Sequence, residues 1–129
     1  LDRMDIHIEV SPVSFDNLSS KAKLEPSCKI RERVNKAREI QKERLKSVGI
    51  LSNSQIPSHI LSSVCELTED AKNILQMAFD KMGLSARGYD KILKISRTIA
   101  DLAGSEIIDK SHICEAIQYR SLDRKYWGY

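Results

Sequence analysis

The chain has 129 residues, which is enough for one domain with one modest core. Apolar residues make up 41% of the chain and aromatic residues only 5%, so the composition excludes a disordered polypeptide and favours an aliphatic core of the kind found in helical bundles. The 21 basic residues are nearly matched by 18 acidic ones, and the net charge of +3 does not by itself indicate a nucleic-acid-binding protein.

The three cysteines, Cys28, Cys65 and Cys114, are odd in number and far apart. This spacing argues against a disulfide framework or a zinc site and favours reduced thiols in a cytoplasmic protein. No apolar run approaches the roughly 18 residues that cross a bilayer, and no signal peptide opens the chain, so we expect no membrane partner. Because Leu1 stands where a complete product would begin with Met, we expect a fragment of a longer protein.

Residues 6–10 alternate apolar and polar side chains, which predicts a β-strand with Ile6, Ile8 and Val10 on one face. No second strand is predicted, so we expect its sheet to lie in a preceding part of the protein. Residues 11–26 contain two prolines, an asparagine and several serines, which is typical of a linker.

The remainder predicts about five helices with short connections, an arrangement that favours antiparallel neighbours. The first helix is expected from Cys28 to about Ser47, the second after Pro57, and the last three after the caps Thr68, Ser85 and Asp109. Ser27 is expected to cap the first helix, and Gly49, Gly83 and Gly104 to end the first, third and fourth helices. The apolar stripe of the first helix is Ile30, Val34, Ala37, Ile40 and Leu45, and that of the third is Ala71, Ile74, Leu75, Ala78, Phe79 and Met82. The predicted fold is therefore all-α, a bundle of about five helices preceded by one orphan β-strand.

Motifs for independent catalysis are missing from the sequence. There is no G-x-x-x-x-G-K-[ST] phosphate loop, no G-x-G-x-x-G and no nucleophile elbow. His112 and Glu115 stand three apart on a predicted helix, but two ligands make a weak metal site, and a structural first-turn histidine is favoured. We therefore expect no metal site, and no activity from the chain alone.

Two segments carry a more specific signal. Residues 1–5, L-D-R-M-D, resemble the L-D-R-[FI]-D segment of magnesium-chelatase subunits and their relatives. Residues 84–104, L-S-A-R-G-Y-D-K-I-L-K-I-S-R-T-I-A-D-L-A-G, resemble the lid signature of the same family, and residues 115–124 resemble its C-terminal end. The chain thus resembles a magnesium-chelatase-like AAA-type ATPase over essentially its whole length, in the competence-associated bacterial branch rather than the chlorophyll-pathway branch.

The resemblance implies that residues 1–26 end the ATPase core and that residues 27–129 form the C-terminal helical lid. It implies that Arg3 is an arginine finger that reaches the γ-phosphate bound to a neighbouring subunit, since a guanidinium matches phosphate oxygens. It implies that Arg87 is the second-sensor arginine, which contacts the ATP phosphates. A positive charge in the first turn opposes the helix dipole, which favours a functional reason for Arg87.

The resemblance also implies a full-length parent that binds ATP and Mg²⁺, packs this lid on its own N-terminal core and assembles a homo-oligomeric ring, a hexamer. In the competence-associated branch, hydrolysis would remodel DNA; metal insertion into a porphyrin is the less favoured outcome, because no porphyrin-site signature is evident. Arg97 is interpreted as structural, and Lys91 and Lys94 as solvated.

A second hypothesis is a stand-alone helical nucleic-acid-binding module. Helix 28–47 carries eight basic residues against three glutamates, and such a face could follow a phosphate backbone. The tail aromatics Tyr126, Trp127 and Tyr129 could stack on bases. A solvated helix face, and a tail that packs on the bundle or is disordered, are the structural alternatives.

Overall fold

The computed structural model describes residues 3–10, 12, 15 and 24–120. Five α-helices follow one another: α1 (Ser27–Leu45), α2 (Ser58–Val64), α3 (Glu69–Met82), α4 (Ala86–Leu102) and α5 (Lys110–Gln118). Two short 3₁₀ turns, Lys46–Val48 and Asn53–Gln55, lie between α1 and α2. The predicted all-α fold is confirmed. Most of the predicted linker 11–26 and the whole tail with Tyr126, Trp127 and Tyr129 lie outside the described residues.

Three helix starts were predicted from capping residues and are confirmed. The Thr68 side chain accepts a hydrogen bond from the Ala71 amide at 3.1 Å, and the Ser85 side chain accepts one from Gly88 at 3.0 Å. Asp109 caps α5 in the same way. Each cap satisfies a backbone donor that the first turn of a helix leaves without an intrahelical partner.

The start of α1 differs from the prediction. Pro26 occupies the cap position and no side chain caps the helix, so the predicted Ser27 cap is wrong. Ile30 and Val34 belong to the predicted apolar stripe, yet they are 44% and 41% exposed. The buried residues of α1 all lie in its second half: Ala37, Gln41 and Leu45. Periodicity identifies the apolar face, but burial also requires a neighbouring element, and none of the described residues covers the first half.

Helix α4 lies at the centre of the bundle and contacts α1, α2 and α5. Its buried side chains include aliphatic and charged residues: Ile92, Leu93, Ile95, Ser96, Arg97, Ala100 and Asp101. A parallel bridge between Leu67 and Ile108 ties the entry of α3 to the entry of α5. Phe79 departs from the predicted core, because it is 43% exposed and meets Tyr89 edge to face. Because most of α4 is packed, its position is fixed by the whole bundle.

Residues 6–10 are not a β-strand in this structure, which corrects the prediction of an orphan strand. His7 is buried and its amide donates to the Tyr119 carbonyl at 2.6 Å, while Ile6, Ile8 and Val10 are 52–79% exposed. A strand requires a ladder of hydrogen bonds to a second strand, and the described part of the chain contains none that could pair with it.

None of the described helices is both long and apolar enough to span a membrane.

Candidate functional site

Arg87 lies in the first turn of α4, two residues after the cap Ser85. Gly83 follows the end of α3 in the left-handed conformation, with φ of 61°, and only Gly83, Leu84 and Ser85 separate the two helices. The Arg87 side chain is exposed, and it forms no hydrogen bond or ion pair with any described residue. A rigid helix therefore presents a guanidinium that is available to an anion outside the described chain.

Arg3 is also exposed, and it stands next to a segment that is held on the helical bundle. We call residues 4–7 the docked segment. The Arg120 guanidinium donates to the carbonyl oxygens of Met4 and Asp5, the latter at 3.3 Å. Arg120 follows α5 and is completely buried, so these contacts anchor the docked segment to the end of that helix.

A third contact joins the docked segment to α4. The Lys91 ammonium forms an ion pair with the Asp5 carboxylate, and the Lys91 side chain is only 19% exposed. The prediction that Lys91 is solvated is therefore wrong. The two residues are 86 positions apart, so nothing in the local sequence pattern around either of them indicates the pair.

The spacing of Arg87 and Lys91 connects the two predicted site arginines. Arg87 and Lys91 are four residues apart on α4, so their side chains lie on one face of the helix, one turn apart. Lys91 holds Asp5, which is two residues after Arg3. The structure therefore connects Arg3 and Arg87 through a single helix, which neither motif suggests by itself.

A groove of about 450 Å³ lies between the docked segment and α4. Its lining includes Ile6, Lys94, Ile95 and Tyr119. The described residues contain no group of three or more side chains that could hold a metal ion. Arg87 fits a phosphate oxygen because it offers a cation on the first turn of a packed helix.

A buried charge cluster fixes α1 against α4. Arg44 donates to both carboxylate oxygens of Asp101, at 2.8 and 2.7 Å. Arg97 reaches the same carboxylate at 3.1 Å, and the side-chain amide nitrogen of Asn53 donates to it at 3.0 Å. The interpretation of Arg97 as structural is confirmed. Arg44 turns towards Asp101, so it does not contribute to the exposed basic face of α1.

Arg97 also closes the connection between α4 and α5. Its two terminal nitrogens donate to the carbonyl oxygens of Ser105 at 2.6 Å and Glu106 at 2.8 Å. These carbonyls belong to the loop that follows α4, where no helical ladder supplies a backbone donor. The arginine therefore positions α5, and with it the Arg120 anchor of the docked segment.

Two residues with reactive side chains have structural roles. His112 accepts a hydrogen bond from the Asp109 amide at 2.9 Å and completes a capping box, which confirms the structural interpretation of this histidine. Burial raises the pKa of the Cys65 thiol to about 11, against the opposing effect of the nearby Arg97 charge. At neutral pH Cys65 is therefore a protonated thiol and a poor nucleophile.

The family of magnesium chelatase subunit ChlI C-terminal domains matches residues 24–120, which include all five helices. The chain belongs to this ChlI C-terminal family. It is 40% identical over 125 residues to the competence protein ComM of Haemophilus influenzae, and 34% identical over 126 residues to the protein YifB of Escherichia coli. Each alignment covers 96% of this chain and 24% of the relative, so the chain spans about a quarter of the length of these proteins.

The ChlI C-terminal match contains Arg87 and Lys91, whereas Arg3 precedes it. The resemblance to the magnesium-chelatase family and to its competence-associated relatives is confirmed. The roles of Arg3 and Arg87 remain predictions.

In this ChlI-type domain, the basic face of α1 is partly neutralised. Arg33 pairs with Glu25, and Lys29 lies 3.9 Å from Glu32. Arg31 and Arg38 stay exposed and make no ion pair with a described residue. The face that could meet a phosphate backbone is therefore smaller than the eight basic residues of the predicted helix 28–47 suggest.

Proposed function

We propose that these residues form the C-terminal lid of a longer AAA-type ATPase of the magnesium-chelatase type, in which Arg87 senses the ATP phosphates. The observation that carries the proposal is the exposed Arg87 guanidinium on the first turn of an otherwise packed helix. Membership of the ChlI C-terminal family supports the proposal, as does the quarter of the relatives' length that the chain spans. Residues 1–26 would end the ATPase core and residues 27–129 would be the lid.

The position of Arg87 suits a phosphate contact. A cation at the positive end of a helix is unfavourable without an anion nearby, and a phosphate would remove that cost. Because α4 is packed against three other helices, a pull on Arg87 moves the bundle rather than one side chain. Closure of the lid on ATP and its release after hydrolysis would then follow the state of the nucleotide.

Arg3 would act as the arginine finger on the nucleotide of a neighbouring subunit in a homo-oligomeric ring, a hexamer in our proposal. Its guanidinium would stabilise the charge on the transferring phosphoryl group. The core that precedes this lid would hold ATP and Mg²⁺, and the metal would supply charge neutralisation on the phosphates. The exposure of Arg3 supports this role, since nothing among the described residues occupies its side chain.

DNA is the proposed object of the remodelling, in a cytoplasmic protein. The support is the 40% identity to the competence protein ComM, which favours DNA over a porphyrin. The second candidate, a stand-alone nucleic-acid-binding module, rests on the exposed basic first half of α1. DNA titration of this 129-residue chain at two salt concentrations separates the two: a module binds tightly with a steep salt dependence, and a lid binds weakly.

The deciding experiment is steady-state ATP hydrolysis by the full-length protein with Arg87→Ala, in the presence and absence of DNA. We expect turnover to fall by about tenfold or more, with an unchanged melting temperature, because a positioned contact to the reacting phosphates is lost. Arg38→Ala is the matched control, since it removes an exposed arginine on α1 and should change turnover without DNA by less than about twofold. Equal turnover of wild type and Arg87→Ala contradicts the proposal, and stimulation by DNA supports the remodelling of DNA.

A further inference from the structure

We infer that Lys91 and Arg120 are positioning residues that hold Arg3 on the lid, so that the finger moves with the helix that carries Arg87. This inference rests on the proposed function of those two arginines. It adds a physical connection between them: the arginine that reads a subunit's own nucleotide and the arginine that serves the neighbour's nucleotide belong to one rigid unit.

Hydrogen bonds to the backbone attach the docked segment to the end of α5. Arg120 donates to two successive carbonyls of the docked segment, and the His7 amide donates to the Tyr119 carbonyl. Arg120 and His7 are both buried, at 0% and 6% exposure. Buried hydrogen bonds of this kind are costly to break without a substitute, so they fix the path of the chain just after Arg3.

An ion pair attaches the docked segment to a second helix. Lys91 and Asp5 connect the docked segment to α4 rather than to the end of α5. Asp5 is 62% exposed and Lys91 only 19%, so the lysine end of the ion pair is largely shielded from solvent. Together, the contacts attach the docked segment to two helices, which restricts rotation as well as translation of the segment.

Helix α4 is the rigid element that connects Arg87 to Lys91. Arg87 and Lys91 are separated by one helical turn, a rise of about 6 Å at 1.5 Å per residue. Arg97 and Asp101, further along the same helix, fix α4 to α1 and to the loop that precedes α5. A displacement that ATP imposes on Arg87 therefore reaches Lys91 through the helix and Asp5 through the ion pair, and Arg3 lies two residues before Asp5 in the chain.

The attraction between Lys91 and Asp5 can be tested by exchanging their charges in the full-length protein. Lys91→Glu places two carboxylates together and should release the docked segment. We expect turnover to fall by about fivefold, as befits a partly exposed ion pair, while KM for ATP changes by less than about twofold. The double variant Lys91→Glu with Asp5→Lys restores the attraction in reverse and should recover most of the turnover.

Lys94→Glu is the matched control. Lys94 lies on the same helix and lines the same groove, but its ammonium donates to the Ser54 carbonyl and forms no hydrogen bond or ion pair with the docked segment. Hydrogen exchange of the His7 amide supplies a readout besides activity. Its protection should fall in Lys91→Glu, stay in Lys94→Glu and return in the double variant, because opening of the docked segment exposes this donor.

The outcomes separate this inference from the function on which it rests. If Lys91→Glu leaves turnover unchanged while Arg3→Ala abolishes it, Arg3 acts as the finger but the positioning role of Lys91 is rejected. If the double variant stays as slow as Lys91→Glu, the charge pair is not the cause and the inference is overturned. If both Arg3→Ala and Arg87→Ala hydrolyse ATP as wild type does, the proposed function fails, and the inference fails with it whatever the exchange of His7 shows.

Discussion

Arg97 and Asp101 lie one turn apart on α4, and their side chains meet at 3.1 Å with exposures of 1% and 0%. The same carboxylate receives Arg44 from α1 in a two-pronged contact. One buried negative charge thus serves two guanidinium groups from different helices. Such a cluster stabilises the fold only while every member is present, because a buried charge that loses its partner lowers the free energy of unfolding.

The first prediction concerns this cluster. Asp101→Asn keeps the volume of the side chain but removes its charge, so Arg97 remains buried without a counter-ion. We expect the free energy of unfolding of the 129-residue chain to fall by about 3–5 kcal/mol, measured by urea denaturation. Glu69→Gln is the control: it breaks a surface pair with Lys72, its side chain is 86% exposed, and it should cost less than about 0.5 kcal/mol. Equal losses in the two variants would show that the cluster does not stabilise the bundle.

The second prediction compares two residues that the sequence identified alike as helix caps. Thr68 caps α3 through its side-chain oxygen, whereas Ser27 caps nothing. Thr68→Ala should therefore lower the free energy of unfolding by about 1 kcal/mol, and Ser27→Ala by no more than a few tenths. Thermal and urea unfolding of both variants measures the difference. A larger loss in Ser27→Ala than in Thr68→Ala would contradict the cap assignments.

The third prediction follows from the pKa of the Cys65 thiol, which burial raises from its usual value of 9.0 to about 11. In the unfolded chain the thiol loses its proton at lower pH than in the folded chain, so its contribution to stability is complete below pH 9.0 and declines up to about pH 11. As the pH rises from about 8 to about 10.5, ionisation of this thiol in the unfolded chain should lower the free energy of unfolding by about 2 kcal/mol.

Lysines and tyrosines also titrate in this range, so the measurement is the difference between the parent chain and Cys65→Ala. The alanine variant should show a shallower decline with pH. Parallel curves for the two proteins would mean that the thiol ionises equally in both states. With a thiol reagent near neutral pH, Cys28 and Cys114 are exposed and should react first, whereas Cys65 should wait for unfolding.

The fourth prediction tests whether Arg3 and Arg87 serve different subunits. In full-length protein, Arg3→Ala and Arg87→Ala should each be nearly inactive. When the two variants are mixed in equal amounts, a site formed by an intact Arg87 and a neighbour's intact Arg3 becomes complete, and about one quarter of the activity should return. ATP turnover of pre-mixed and separately assembled rings measures it. If mixing restores nothing, Arg3 does not act across a subunit boundary.

The local signals in the sequence determined the helices. Thr68, Ser85 and Asp109 each predict a helix start, because a cap and the amide it serves are only one to three residues apart and need no other part of the chain. Gly83 likewise ends α3, since glycine adopts a positive φ without steric cost. The lid motif and the family were also readable in the sequence, and the match over residues 24–120 confirms them.

The tertiary structure decided which side chains are covered and which charges meet. Ile30 and Val34 have the period of a buried face, yet they are exposed because burial depends on what lies opposite. Lys91 has the local pattern of a solvated lysine, yet it pairs with a residue 86 positions away. Pairs of this kind form only when packing has brought distant segments together, so no window of sequence contains them. The sequence by itself determined the helices and the identity of the two candidate arginines, and only the packing of the docked segment on α4 connected them.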